Sequence, residues 1–133
     1  MATVETTYVG GFRTENVHLQ SGTKILTDAP TDNQGKGEAF SPTDLLATSL
    51  GTCMLTTMAI RTAKDGIDMD GAKCEITKVM AANPRRVSEI VLKLSFPKTY
   101  TDEQKKLLED AALTCPVYYS LSESLVKTVD FGW

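Results

Sequence analysis

Ser41-Pro42-Thr43-Asp44-Leu45-Leu46-Ala47-Thr48-Ser49-Leu50-Gly51-Thr52-Cys53-Met54-Leu55-Thr56-Thr57-Met58-Ala59-Ile60 opens with a helix start and continues as an apolar run that a small chain has trouble hiding. Ser41 is the expected N-cap, Pro42 fills the first helical position, and Asp44 stands three residues after the cap, where a carboxylate reaches back to the cap amide. Leu45, Leu46, Leu50, Cys53, Met54, Leu55, Met58 and Ile60 cover most of the circumference, and Gly66 offers a left-handed stop after Arg61 and Lys64. At 1.5 Å per residue such a helix is roughly 35 Å long. A helix apolar nearly all round has to be wrapped by other structure.

The flanks supply that structure. On the N-terminal side Val4, Thr6 and Tyr8 alternate, Gly10-Gly11 turns the chain, Phe12 to Leu19 continues, and Ser21-Gly22 turns it again before Lys24-Ile25-Leu26-Thr27. This pattern predicts an antiparallel meander of three strands. Residues 29 to 37, rich in Pro, Asp, Asn and Gly, form a loop into the helix. Beyond the helix, Ala72, Cys74, Ile76 and Met80 alternate with polar neighbours, Asn83-Pro84 turns the chain, and Ile90, Leu92, Leu94 and Phe96 alternate again, giving a long hairpin. Thr101 and Gln104 make a second capping box, opening a helix with Leu107, Leu108, Ala111, Ala112 and Cys115 on one face. Pro116 starts another helix through Val117 to Leu125, and Thr128 to Trp133 closes as a strand. The reading is an α+β fold in the order βββ-α-ββ-αα-β.

At 133 residues the chain is expected to be one domain, residues 1–133, without repeats or low-complexity segments. Apolar residues at 41% and charged residues at 23% are ordinary for a globular protein. The formal charge is -3, and the basic residues are scattered apart from Arg85-Arg86, which argues against nucleic acid and acidic membranes as partners. The N-terminus shows no secretion signal, and the apolar helix, interrupted by Thr and Ser, is too short to span a bilayer. The expected location is cytoplasmic.

Three cysteines without an export signal argue against a disulfide scaffold, and one histidine with no C-x-x-C leaves too few ligands for a structural metal. Cys53, in mid-helix, is either a small core residue or, given a cation, a reactive thiol. Arg61 sits two turns along the same helix and folds back poorly, so Arg13 in the meander is the better candidate for that cation. Cys115 precedes proline at a helix junction, where free amides of the next helix favour a thiolate; the alternative is a plain apolar-face residue. Cys74 reads as core. Glu38, in the loop, is either a solvated charge or a carboxylate that orients Arg13. Asp44 is explained by its cap, and His18 reads as structural.

Ser41-Pro42-Thr43-Asp44-Leu45-Leu46, Leu50-Gly51-Thr52-Cys53, the distant Cys115-Pro116-Val117 and the final Val129-Asp130-Phe131 together resemble the OsmC/Ohr family of osmotically inducible and organic hydroperoxide resistance proteins, in its OsmC-like branch. The likeness covers essentially the whole chain. It implies an intertwined homodimer in which sheets enclose the long central helices and two sites lie at the subunit interface. It also implies a cysteine-based peroxidase needing no metal, haem or flavin, with Cys53 as the attacking and Cys115 as the resolving cysteine. Arg13, after Gly10-Gly11-Phe12, matches the family's activating arginine approximately. Members best known as organic hydroperoxide reductases place a glutamate where this chain has Thr43, and here the acid comes one residue later as Asp44. One residue along a helix is a rotation of about 100°, so Asp44 does not simply inherit that role. Glu38 and Asp44 stand as competing partners of Arg13.

The activity this implies is reduction of hydroperoxides in stress defence, with an organic hydroperoxide as substrate and a small or protein-bound dithiol as reductant. Leu50, Met54, Phe40 and Tyr118 are the candidate lining of a substrate pocket. Two other classes compete: a redox-inert protein that binds a small hydrophobic ligand, and a thiol sensor that oxidises once without turnover.

Overall fold

A computed structural model describes residues 1–133 and resolves them into two compact units, Met1–Leu45 and Leu46–Trp133. In the first unit, β1 (Val4–Gly10), β2 (Arg13–His18) and β3 (Lys24–Asp28) form an antiparallel meander in the order β1-β2-β3. The turn between β1 and β2 places Gly10, Gly11 and Phe12 at positive φ, a conformation unusual for a residue as bulky as Phe12. The Tyr8 hydroxyl accepts from the Phe12 amide at 3.3 Å, and the Phe12 carbonyl accepts from the Ala29 amide at 3.0 Å. Residues 29 to 40 fold back on β3: the Asp28 amide donates to the Phe40 carbonyl, and Thr27 forms an isolated bridge with Phe40.

The long helix α1 (Pro42–Thr62) begins as expected. The Ser41 amide donates to Asp44 Oδ2 at 2.9 Å and Ser41 Oγ accepts from the Asp44 amide at 3.0 Å, a reciprocal capping box. Its 21 residues give a length of about 32 Å, continued by a 3-10 turn over Ala63–Asp65 that ends at Gly66 with φ +68°.

In the second unit, β4 (Lys73–Ala81) and β5 (Arg86–Ser95) form the long hairpin, and β6 (Val126–Gly132) pairs with β5, giving the order β4-β5-β6. The β5–β6 pair is parallel. Parallel strands need a crossover, which α2 (Asp102–Ala112) and α3 (Pro116–Ser120) supply. Leu50, Met54 and Met58 of α1 meet Ile90, Leu92 and Leu94 of β5 and Leu108 of α2 in the core, with almost no exposure. Each such side chain contributes on the order of 1.5–3 kcal/mol by its burial. Gly51 lets β4 approach closely, since a Cβ there would lie 2.4 Å from Ile76 Cδ1.

The order βββ-α-ββ-αα-β is the one read from sequence. Two details differ. The second capping box opens α2 as expected, but α2 ends at Ala112, so Cys115 is not part of its face and Leu107 is 40% exposed. The helix expected from Val117 to Leu125 is five residues long, because the chain turns extended at Leu121.

The C-terminus is held by aromatic packing. Trp133 stacks on Phe96 at 4.4 Å and on Phe131 at 5.8 Å between ring centres, and its Nε1 donates to Glu109 of α2 at 2.9 Å. No helix is long and apolar enough to cross a membrane.

Candidate redox site: paired thiols and a braced arginine

Proline dictates the local conformation at Cys115. The residue before a proline avoids the helical region, so Cys115 is extended, with φ -75° and ψ 154°, and becomes the N-cap of α3 instead of the end of α2. Its side chain is fully buried. Burial pushes the thiol above its ordinary pKa, the amides of Tyr118 and Val117 pull it back, and the nearby Cys53 thiol pushes it up again. Cys53 and Cys115 are thus brought together by packing α1 against the α2–α3 junction, and both are free thiols.

Cys53 is half-buried and packs at the edge of the core that includes Cys115, with Thr57 Oγ1 3.8 Å from its sulfur. The segments on either side of Cys115 are held by two cations. Arg61, on the last turn of α1, donates from Nη2 to the Thr114 carbonyl at 3.0 Å and from Nη1 to Thr114 Oγ1. Lys127 of β6 lies over the Tyr118 ring at 4.9 Å and donates to the carbonyls of Ser122 and Leu125, tying down the segment after α3.

Cys74 is on the other side of α1. A Cβ at Gly51 would be 3.4 Å from its sulfur, and Gly51 and Cys53 are about 200° apart round the helix. Burial raises the Cys74 pKa. It behaves as the core residue expected from sequence.

In the N-terminal unit Arg13 is braced twice. Its Nε donates to Asp28 Oδ1 at 2.7 Å and its Nη2 to Asp28 Oδ2 at 2.8 Å, a bidentate pair; Nη2 also reaches Glu38 Oε2 at 3.1 Å. The Glu38 amide donates to Asp28 Oδ2 at 3.0 Å, so one buried carboxylate fixes both the arginine and the loop that carries its second partner. The hydrogen bonds raise the pKa of Arg13 and lower that of Asp28, against the opposing effect of desolvation. Glu38 therefore pairs with Arg13, whereas Asp44 Oδ2 serves the helix cap.

Asp28 was missed by the sequence reading, because symmetry about the Ser21-Gly22 turn would set Pro30 and not Asp28 against Arg13. The observed register is centred one residue earlier, between Gln20 and Ser21, and sets Arg13 directly opposite Asp28. Of the candidate pocket residues, Leu50 and Met54 are sealed in the core, while Phe40 is 53% exposed and borders a recess of about 340 Å³ shared with Glu38 and Asp44.

An α+β fold with two free thiols, Cys53 on a long helix and Cys115 at the start of a short crossover helix, is the frame of the site. The family model for OsmC-like proteins matches residues 35–129, and the chain belongs to the OsmC/Ohr family. It is 51% identical to a candidate osmotic stress induced and detoxification response protein from Psychrobacter arcticus 273-4, with a TM-score of 0.95 over 98% of this chain and 96% of that one. It shares its fold with an organic hydroperoxide resistance protein OsmC from Legionella pneumophila, at 16% identity and TM-score 0.77 over 100% of this chain and 98% of that one. A candidate organic hydroperoxide resistance protein from Vibrio cholerae, with captopril in one of its active sites, is similar at 16% identity and TM-score 0.76, covering 100% of this chain and 94% of that one. No curated protein matches the chain.

Proposed function

We propose that the protein is a thiol-dependent peroxidase that reduces organic hydroperoxides, acting as a homodimer in stress defence. The observation that carries the reading is that Cys53 and Cys115, both free thiols, lie at one core cluster where the Cys53 thiol acts on the titration of Cys115. In the proposed cycle the Cys53 thiolate attacks the terminal oxygen of the hydroperoxide; the O–O bond breaks, the alcohol leaves with a proton, and Cys53 becomes a sulfenic acid. Cys115 condenses with it, forming a disulfide and releasing water. A dithiol then returns both cysteines to thiols and leaves as its own disulfide.

The role of Arg13 in this cycle, holding the Cys53 thiolate and orienting the hydroperoxide, comes from the family resemblance. Its bracing by Asp28 and Glu38 supports that role, because a guanidinium fixed through Nε and Nη2 keeps Nη1 outside those bonds. Asp28 takes the orienting part that the helix-start glutamate has in the best-known hydroperoxide reductases. The homodimer is supported by the N-terminal sheet, whose apolar side chains Tyr8, Ile25 and Leu26 are exposed on both faces.

One equivalent of cumene hydroperoxide added to the reduced protein, followed by non-reducing peptide mass spectrometry, tests the cycle. The expected product is a Cys53–Cys115 disulfide, absent in Cys53→Ser, with sustained consumption of peroxide once a dithiol is supplied. Unreacted thiols would sink the reading and leave ligand binding in its place. Oxidation without turnover would make the protein a sensor.

A further inference from the structure

We infer that Arg61 is a positioning residue for the thiol pair: by clamping Thr114 to the helix that carries Cys53, it sets the distance across which Cys115 closes the disulfide. The inference uses the Cys53–Cys115 pairing of the proposed function but not the peroxide chemistry.

Cys53 and Arg61 lie on the same rigid helix, about 12 Å apart along its axis. The Arg61 guanidinium grips Thr114 at two atoms, the carbonyl oxygen and Oγ1. Thr114 has no freedom to follow a loosened partner, since its Oγ1 donates to the Asp110 carbonyl at 2.6 Å and its amide to the Ala111 carbonyl. The carbonyl that Arg61 holds belongs to the peptide unit joining Thr114 to Cys115. That unit is planar, so fixing its oxygen fixes the Cα of Cys115 as well. A disulfide tolerates a Cα separation only within about 4.4–6.8 Å, and its Cβ vectors must converge. Cys115 is tied to α3 as its N-cap, its carbonyl accepting from the Tyr119 amide at 3.2 Å. The contact through Arg61 is what ties this junction to α1, the helix that carries Cys53.

A purely structural role, a cation satisfying the last carbonyls of α2, accounts for the bond to the carbonyl but predicts only a change in stability. The positioning role predicts a change in the closing equilibrium itself. Equilibration with oxidised and reduced glutathione measures it: the protein's two thiols lose two electrons and two protons to oxidised glutathione, yielding the Cys53–Cys115 disulfide and two molecules of glutathione. The effective concentration of one thiol towards the other follows from the product ratio.

The variants are Arg61→Gln, Arg61→Lys and Thr114→Val, each melted in the reduced form to register stability separately. The expected result is an effective concentration about tenfold lower in Arg61→Gln, which corresponds to about 1.4 kcal/mol. Arg61→Lys, with a charge but no fork, should recover part of it, and Thr114→Val, which loses both hydrogen bonds of Oγ1 but keeps the Arg61 bond to the Thr114 carbonyl, should show a smaller fall. After a hydroperoxide pulse, Arg61→Gln should also accumulate a dimedone-trappable sulfenic acid because condensation is slowed. Effective concentrations within twofold of the parent in the folded variants would overturn the inference; should Arg61→Gln not fold, an unchanged Thr114→Val would do so. Failure of the parent to react with hydroperoxide while the glutathione equilibrium still responds to Arg61 would sink the peroxidase reading and leave this inference standing.

Discussion

Asp28 accepts two hydrogen bonds from Arg13 and one from the Glu38 amide, and its carboxyl is held below the usual carboxylate range by them. A folded-state pKa below the unfolded value means that ionised Asp28 favours the fold at neutral pH. That contribution persists above the ordinary value of 3.8 and is lost as pH falls below it. Acid melting of the parent should therefore steepen in that window, and Asp28→Asn should flatten the slope there. In peroxide assays Asp28→Asn is expected to lower the rate by about tenfold to a hundredfold, the scale on which misplacing a catalytic group acts. Glu38→Gln, which leaves the bidentate pair intact, should cost much less. Asp44→Ala should cost about 1 kcal/mol of stability through the lost cap while leaving the rate nearly unchanged, which separates the three acids in one series. Cysteine labelling is a further check: at neutral pH iodoacetamide should modify half-buried Cys53 well before Cys115, which is fully buried and has a raised pKa. Asp28 escaped the sequence reading because its partner lies across a hairpin, where register and not sequence spacing decides contact. Glu38, the second partner of Arg13, was legible because a loop acid stands out singly.

Along the elements, legibility followed the strength of local signals. Ser41-Pro42-Thr43-Asp44 and Thr101 with Gln104 are helix starts written in side chains, and both capping boxes form. Helix ends were less legible. Cys115 was assigned to the face of α2 on its spacing, but the proline after it dictates an extended conformation, and the steric rule outweighs the period. The helix after Pro116, expected to run to Leu125, stops at Ser120, and residues 121–125 form an irregular segment pinned by Lys127. Gly51 shows what spacing leaves out: it sits mid-helix against propensity because Ile76 occupies the place of a side chain. Gly51→Ala gains about 1 kcal/mol of helix propensity but forces Ile76 aside, an overpacking cost of about 1–3 kcal/mol. A net loss of stability is expected. Ile76→Val removes the Cδ1 atom at fault, so the double variant should be more stable than the sum of the single changes implies, as a denaturation cycle would read directly.

At the scale of the molecule, the core of the second unit is built from α1, β5 and the crossover, whereas the N-terminal sheet leaves Val4, Tyr8, Val9, Ile25 and Leu26 exposed. Sedimentation is expected to give twice the 14.5 kDa chain mass, and Ile25→Asp combined with Leu26→Asp should shift it towards the single chain. A monomeric parent at micromolar concentration would remove the homodimer from the proposal. The parallel pairing of β5 with β6 also has a consequence in time. Because the crossover carrying Cys115 lies between the two strands, this part of the sheet closes late, after contacts local in sequence have formed. Until then the core that keeps Cys53 and Cys74 on opposite sides of α1 is incomplete. Refolding under oxidising conditions should therefore trap a non-native Cys53–Cys74 bridge, and a reducing agent present during the first moments of refolding should raise the yield of native protein.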